Sequence, residues 1–280
     1  MMLVHGEQYL ELHKPLPVTG KLINKGRIVD VVDKGKGTTV TIGVSTYDEK
    51  GNLVCENEFT NFIRGMGGFG GTPVARKPAA VDENKPPSRA PDAVVKEVVN
   101  SDQAALYRLS GDYNPLHIDP EMSKMGGFDV PILHGLCTFG IAGKHVLKTF
   151  GKNDSANFKS IKVRFAKHVF PGETLETQMW KEGSKVYFNV RVVERDVLAI
   201  SNAAVELREG GAKPSSVPAP AAAAQGLAVS GFMASKVFEG IEASLKASSE
   251  AQRKEQVSKV SNLFGCDCMS NFVGQGRFCL

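Results

Sequence analysis

The sequence predicts an α+β protein in which antiparallel sheet wraps one long helix. Three observations carry that prediction. Two groups of β-branched and apolar runs, at residues 9–62 and 158–207, are divided by turn residues in the manner of meanders. Between them, Leu136, Phe139, Gly140, Gly143, Val146, Leu147 and Phe150 fall at helical spacing on one side of residues 134–150. Glycine- and proline-rich stretches at 65–91 and 208–230 divide the chain into blocks.

Taken in order, Tyr9-Leu-Glu-Leu12 begins a strand that Pro15 and Pro17 stop. Residues 21–32, 38–46 and 53–62 read as further strands, separated by Lys34-Gly-Lys-Gly37 and Asp48-Glu-Lys-Gly51. The result is a curled meander with one face that needs cover. From Gly65 to Pro91 the composition is that of a linker. Gly65, Gly67 and Gly70 fit a GxGxxG spacing, but Gly71-Thr-Pro does not open a helix and no βαβ unit follows, so no dinucleotide loop is expected. Residues 101–109 predict a short helix capped by Ser101 or Asp102. The longer helix follows at 134–150, where Gly140 and Gly143 cost propensity and are expected to sit where the helix presses on a sheet. Strands at 158–167, 174–181, 185–193 and 197–207 complete the block, with turns at Pro171-Gly172 and Glu182-Gly183. A long helix wrapped by antiparallel sheet is the hot-dog arrangement.

Composition narrows the function. A hydrophobic content of 42% and a charged content of 23% are those of an ordinary globular chain. Apolar runs are too short and too charged for a membrane span, and the first residues lack the pattern of a secretory signal. A net charge of +4 would help attract phosphates but does not point to nucleic acid. Five scattered cysteines do not resemble a disulfide framework, and Cys266-x-Cys268 lacks a second ligand pair.

Chemistry concentrates in Tyr107-Arg-Leu-Ser-Gly-Asp-Tyr-Asn-Pro-Leu-His-Ile-Asp-Pro120 and Leu133-His-Gly-Leu136. Asp112 and His117 lie at the two ends of a segment that Gly111 and the pair Asn114-Pro115 must bend. A carboxylate and an imidazole aimed at one water form a general acid/base site, although the same residues also populate plain surface turns. The remaining histidines, His13, His134, His145 and His168, show no metal-ligand spacing, so no metal or other cofactor is expected.

The string Gly111-Asp-x-Asn-Pro-Leu-His117 resembles the signature of the MaoC-like (R)-specific enoyl-CoA hydratases, the hydratase 2 family. The wider context, from Gln103 through Phe139, is similar to the hydratase region of the peroxisomal multifunctional enzymes of type 2, and the likeness runs from about Val4 to about Val260. It implies a double hot-dog whose first unit is incomplete. The order of residues 9–20 weakly parallels that of 163–172, which hints at duplication, yet no opening strand and helix precede the first block. The concave face of residues 5–64 then lacks cover: either a partner supplies it, or the chain is a fragment or alternative product.

The domains expected are 1–90, a partial hot-dog unit with a linker; 91–209, the catalytic unit; 210–230, a Pro/Ala linker; and 231–280. In that last segment an amphipathic stretch at 234–250 resembles the first helix of a sterol carrier protein type 2 domain, which is then cut short.

The resemblance also implies roles. Asp112 and His117 jointly hold and activate the water, Asn114 orients the water or the carboxylate, and the Gly135 N–H at a helix start receives the thioester oxygen. His5, Gly6, Lys34 and Phe165 match positions that contact acyl-CoA, together with Tyr113, Pro115 and Leu116 of the motif itself. The implied activity is hydration of trans-2-enoyl-CoA to (3R)-hydroxyacyl-CoA in β-oxidation. The alternatives are a thioesterase or acyl-binding hot-dog and a non-catalytic truncated product. A homodimer and a peroxisomal location follow by resemblance, although Phe278-Cys-Leu280 does not fit a Ser-Lys-Leu type address.

Overall fold

The computed structural model describes residues 3–17, 19–70 and 84–208. The expected linker at 210–230, the amphipathic stretch, the carrier-like segment and Cys266-x-Cys268 all lie outside the described residues, as does most of the glycine- and proline-rich stretch before residue 84.

Four strands come first: β1 (Leu3–Leu12), β2 (Leu22–Asp33), β3 (Gly37–Asp48) and β4 (Leu53–Arg64). After β5 (Ala93–Val98) come the short helices α1 (Gln103–Tyr107) and α2 (Pro120–Met125), then α3 (Gly135–Phe150). The final strands are β6 (Phe158–Phe165), β7 (Thr174–Glu182), β8 (Lys185–Val192) and β9 (Val197–Leu207). All nine strands join one sheet in the order β2-β3-β4-β1-β6-β9-β8-β7-β5, and every pairing is antiparallel. An α+β hot-dog is therefore the architecture.

The order reads symmetrically outward from the central β1/β6 pair. On each side the first strand of the group is followed by its fourth, third and second. Two copies of one topology thus meet edge to edge at β1 and β6. The second group has α3 and the added edge strand β5, and among the described residues of the first group no helix accompanies the strands.

The inner face is settled by register, since residues directly opposite in adjacent strands share a face. Val163, Gln8, Phe59, Ile42 and Ile28 form one row across five strands. On β6, beneath α3, Val163 is 1% exposed; at the far edge, on β2, Ile28 is 70% exposed. Ala142, Val146 and Phe139 of α3 fill the core with Ile161, Val163, Phe188, Val190 and Val205, all buried. A buried polar clamp fixes the same helix. His145 joins Thr177 Oγ1 of β7 at 2.8 Å and Glu97 of β5 at 3.0 Å, while Lys144 donates to the other oxygen of Glu97 at 2.6 Å. Among the described residues, the row runs from Val163 through buried Gln8 to the exposed Ile28 with no helix over its outer end.

Several local expectations need correction. β1 begins at Leu3 rather than Tyr9, because its ladder with β4 runs through a bulge around Gly6. β5 lies between the expected linker and the expected short helix, where no element was anticipated: six residues on a sheet edge show too short an alternation to stand out. The short helix has Asp102 at its N-cap position, but neither Asp102 nor Ser101 caps it with a side chain. α2 was not anticipated; Asp119 caps it by accepting from the Glu121 N–H at 2.8 Å, with Pro120 in its first turn. Gly140 is not pressed against anything, since a Cβ there would find no atom within 4 Å, and Gly143 would meet only Ile161 at an ordinary 3.6 Å. The GxGxxG string also finds its explanation. The backbone N–H groups of Gly68 and Gly70, with that of Gly35, close around the Asp33 carboxylate at 2.7–3.0 Å. Any Cβ on Gly67 would lie 2.4 Å from the Gly35 carbonyl oxygen, so the loop holds the chain's own anion at close quarters.

Candidate active site

The site is assembled by the turns that follow α1. A single 3-10 turn (Arg108–Ser110) ends at Gly111, whose φ of 114° lies in the left-handed region that only glycine enters without strain. That reversal aims Asp112 inward. Its Oδ1 accepts from the Asn114 backbone N–H at 3.2 Å. Asn114 Oδ1 in turn accepts from the Leu116 N–H at 3.1 Å, capping a second 3-10 turn (Pro115–His117). Arg108 donates to the Asn114 carbonyl at 3.0 Å and closes the loop from behind. Asn114 therefore orients the carboxylate with its backbone, while its side-chain oxygen is engaged as a cap.

His117 is buried, and its Nδ1–H donates to the Ile132 carbonyl at 2.8 Å. That bond fixes the neutral tautomer and leaves the lone pair on Nε2. The next residues carry His134, which is 1% exposed and occupies the N-cap position of α3. Its ring stacks on that of His117 with centroids 3.7 Å apart and tilts against Tyr107 at 4.6 Å. Its Nε2–H donates to the Asp112 carbonyl at 3.2 Å and lies 4.0 Å from Asp112 Oδ2. One ligand-type atom each from Asp112, His117 and His134 falls within 4.8 Å of the others. Two face-stacked imidazoles, one with its Nε2 proton committed to a carbonyl, cannot both point lone pairs at one ion, so the set suits proton handling better than a metal.

Burial lowers the pKa of both rings. For His117, burial outweighs the Ile132 carbonyl and the Asp112 charge, and Arg108 lowers it further. His134 falls to about 4, through burial first and then the neighbouring His117. Both are neutral at pH 7, the form in which an imidazole can accept a proton from water.

The helix start supplies the other half of the site. Gly135 is the first residue of α3, and the N–H groups of Gly135 and Leu136 have no intrahelical acceptor. The partial positive charge of a helix N-terminus gathers there. A Cβ on Gly135 would lie 3.3 Å from Cε1 and 3.4 Å from Cδ1 of Phe165, so the ring covers this backbone at close range. Phe165 ends β6 and meets the His5 ring, 4.9 Å away between centroids. His5 sits beside the bulge at Gly6, and burial lowers its pKa against the opposing pull of the Asp112 charge.

The fold thus brings together Asp112, Asn114, Pro115, Leu116, His117, Gly135, Phe165, His5 and Gly6. Tyr113 stays exposed on the rim with Arg108 over its ring at 5.5 Å. Lys34 stands apart: it is exposed in the turn between β2 and β3, with β3 and β4 between its strand and β1. Sequence reasoning missed His134. The signal available was its place directly before Gly135, where an imidazole replaces the Ser, Thr or Asp usual at a helix start.

The MaoC like domain matches residues 82–203, and the MFE-2 hydratase 2 N-terminal domain matches residues 1–65. The peroxisomal hydratase-dehydrogenase-epimerase of Neurospora crassa is 57% identical over 210 residues, which are 74% of this chain and 23% of that protein. The peroxisomal multifunctional enzyme type 2 of Mus musculus is 53% identical over 205 residues, 73% of this chain and 27% of that one. The chain thus spans about a quarter of the length of these two relatives. Among solved structures, a MaoC-like dehydratase from Phytophthora capsici superposes with a TM-score of 0.69 at 42% identity, covering 74% of this chain and 72% of that one.

Proposed function

Because the chain belongs to the MaoC-like hydratase family, with an MFE-2 hydratase 2 type N-terminal stretch, we propose that it is a (3R)-specific enoyl-CoA hydratase. It adds water reversibly to trans-2-enoyl-CoA in fatty-acid β-oxidation. The observation that carries this reading is the juxtaposition of Asp112 and neutral His117 with the free N–H groups at the start of α3.

Hydration requires a hydroxyl on C3, a proton on C2 and relief of the charge that builds on the thioester oxygen. Asp112 and His117 hold the water between them and act as a pair: one accepts the proton the water gives up, and one delivers a proton to C2, so the addition balances without a cofactor. Nδ1 of His117 is already committed to the Ile132 carbonyl, so its Nε2 is the atom that exchanges. The Gly135 N–H receives the thioester oxygen as it takes on enolate charge. A fixed donor of this kind is worth about a hundred- to a thousandfold in rate. Phe165, His5 and Gly6 line the acyl side, and Tyr113, Pro115 and Leu116 line the rim.

The likeness to peroxisomal relatives supports a peroxisomal setting, and a homodimer belongs to the same reading. The exposure of Ile28, with no helix over that end of the sheet among the described residues, supports a preference for short acyl chains over long ones. The test is direct: purified protein with crotonyl-CoA, following loss of the enoyl thioester and assigning product chirality. Formation of the 3R alcohol is expected. A 3S product, or thioester cleavage in place of hydration, would overturn the proposal.

A further inference from the structure

His134 has no part in the chemistry just described, yet it is the most enclosed side chain of the site. Three contacts define it. The ring face lies on His117 at 3.7 Å, the opposite end meets Tyr107, and Nε2–H donates to the Asp112 carbonyl at 3.2 Å. It lies beneath both reacting side chains and exposes 1% of its surface, so substrate has no route to it. Its Nδ1 is buried and accepts no hydrogen bond from the described residues, a cost that a ring present only to fill space would not carry. Phenylalanine or leucine would fill the same volume without that penalty.

We propose that His134 is a positioning residue that aligns Asp112 and His117 by holding the backbone of one and the ring face of the other. This rests on the hydratase reading for its kinetic consequence but not for its geometry. The donor fixes the peptide of Asp112, whose carboxylate also accepts from the Asn114 N–H after the reversal at Gly111. The stacked ring limits rotation of His117 about its bond to the Ile132 carbonyl, which by itself is a pivot rather than a clamp. Neutrality is part of the arrangement. A cation at His134 would face His117 and Arg108 with only Asp112 to offset it, and would oppose the imidazolium that His117 passes through in proton transfer. The groups facing His134 are His117, Asp112, Arg108 and Tyr107.

Two variants divide the roles. His134→Gln keeps an N–H donor for the Asp112 carbonyl and loses the stacked ring; His134→Phe keeps a ring and loses the donor. Each is expected to lower kcat at least about tenfold with KM within about twofold, because misplacing a reacting group by a fraction of an ångström acts on the transition state and not on binding. The second readout needs no turnover. The NMR titration of the His117 ring should move in His134→Gln, where a neutral aromatic face is replaced by an amide, and the Asp112 amide resonance should move in His134→Phe. Unchanged kcat in both folded variants, or a raised KM at constant kcat, would overturn the proposal. An unmoved His117 titration and Asp112 resonance would do the same. If wild-type protein shows no hydration while the two resonances respond as expected, the hydratase reading fails and the positioning role stands.

Discussion

Replacing Gly135 offers a graded test of the helix-start site. A Cβ there would lie 3.3, 3.4 and 3.6 Å from Cε1, Cδ1 and Cζ of Phe165. Contacts of 3.3–3.4 Å are tighter than a methyl group accepts, so in Gly135→Ala the ring or the first turn of α3 must yield by a few tenths of an ångström. Phe165 has limited room because the His5 ring packs against it, 4.9 Å away between centroids. Alanine gains helix propensity of up to about 1 kcal/mol over glycine, and crowding costs about 1–3 kcal/mol, so net stability falls only slightly. The N–H moves with the turn. Since a misplacement of about 1 Å costs on the order of a hundredfold, Gly135→Ala should lose about three- to tenfold in kcat, and Gly135→Val on the order of a hundredfold. Crotonyl-CoA kinetics with parallel thermal melts measure both effects. Adding Phe165→Leu should return part of the alanine variant's rate by removing the obstructing ring edge, a coupling that a double-mutant cycle reads directly. A folded Gly135→Val protein with wild-type kcat would refute the assignment of this N–H to the thioester oxygen.

Three further outcomes follow from the same geometry. Asn114→Asp keeps an acceptor for the Leu116 N–H and should retain most activity, whereas Asn114→Ala should lose about 1 kcal/mol of stability with the cap; a rate collapse in Asn114→Asp would show that the side-chain amide meets substrate or water instead. His117, His134 and His145 have pKa values lowered by burial, so the unfolded chain binds more protons below pH 6.5 and stability falls as pH drops through that value. From His134 alone, with a folded value of about 4, the loss at pH 5 is on the order of 2 kcal/mol; melts at pH 7.5 and pH 5 should show it, and His134→Gln should shrink the difference. Finally, Asp33→Ala should speed amide hydrogen exchange at Gly68 and Gly70 about tenfold while leaving kcat unchanged; unaltered exchange would mean that the carboxylate does not hold the loop.

What could be read from the sequence divides along the range of the forces involved. α3 and the hairpin strands were legible because their patterns are local: helical spacing from Leu136 to Phe150, and β-branched runs cut by Gly-containing turns. Asp112, His117 and Gly135 were legible as a motif, and the turn chemistry of Gly111 and Asn114-Pro115 gave physical reason for the bend. β5 was not legible, because pairing with β7, 76 or more residues away, makes its six residues a strand. The meaning of the 65–70 glycines was hidden for the same reason: their partner is Asp33, more than thirty residues earlier. Gly140 misled in the opposite direction, since low helix propensity suggested a close approach that no neighbouring element makes. His134 escaped because stacking on His117 and bonding to the Asp112 backbone leave no trace in residue spacing. Local pattern identified the chemistry; only tertiary contact shows what holds it in place.

The central claim is that Asp112 and His117 together hydrate an enoyl thioester. The most direct measurement compares wild type with Asp112→Asn, a substitution of equal size, on crotonyl-CoA and a decenoyl-CoA, with melting curves confirming that both proteins fold. Asp112-dependent formation of the 3R alcohol is expected, with a loss of at least about a hundredfold in the variant and faster turnover of the shorter thioester. Equal rates in the two folded proteins would contradict it.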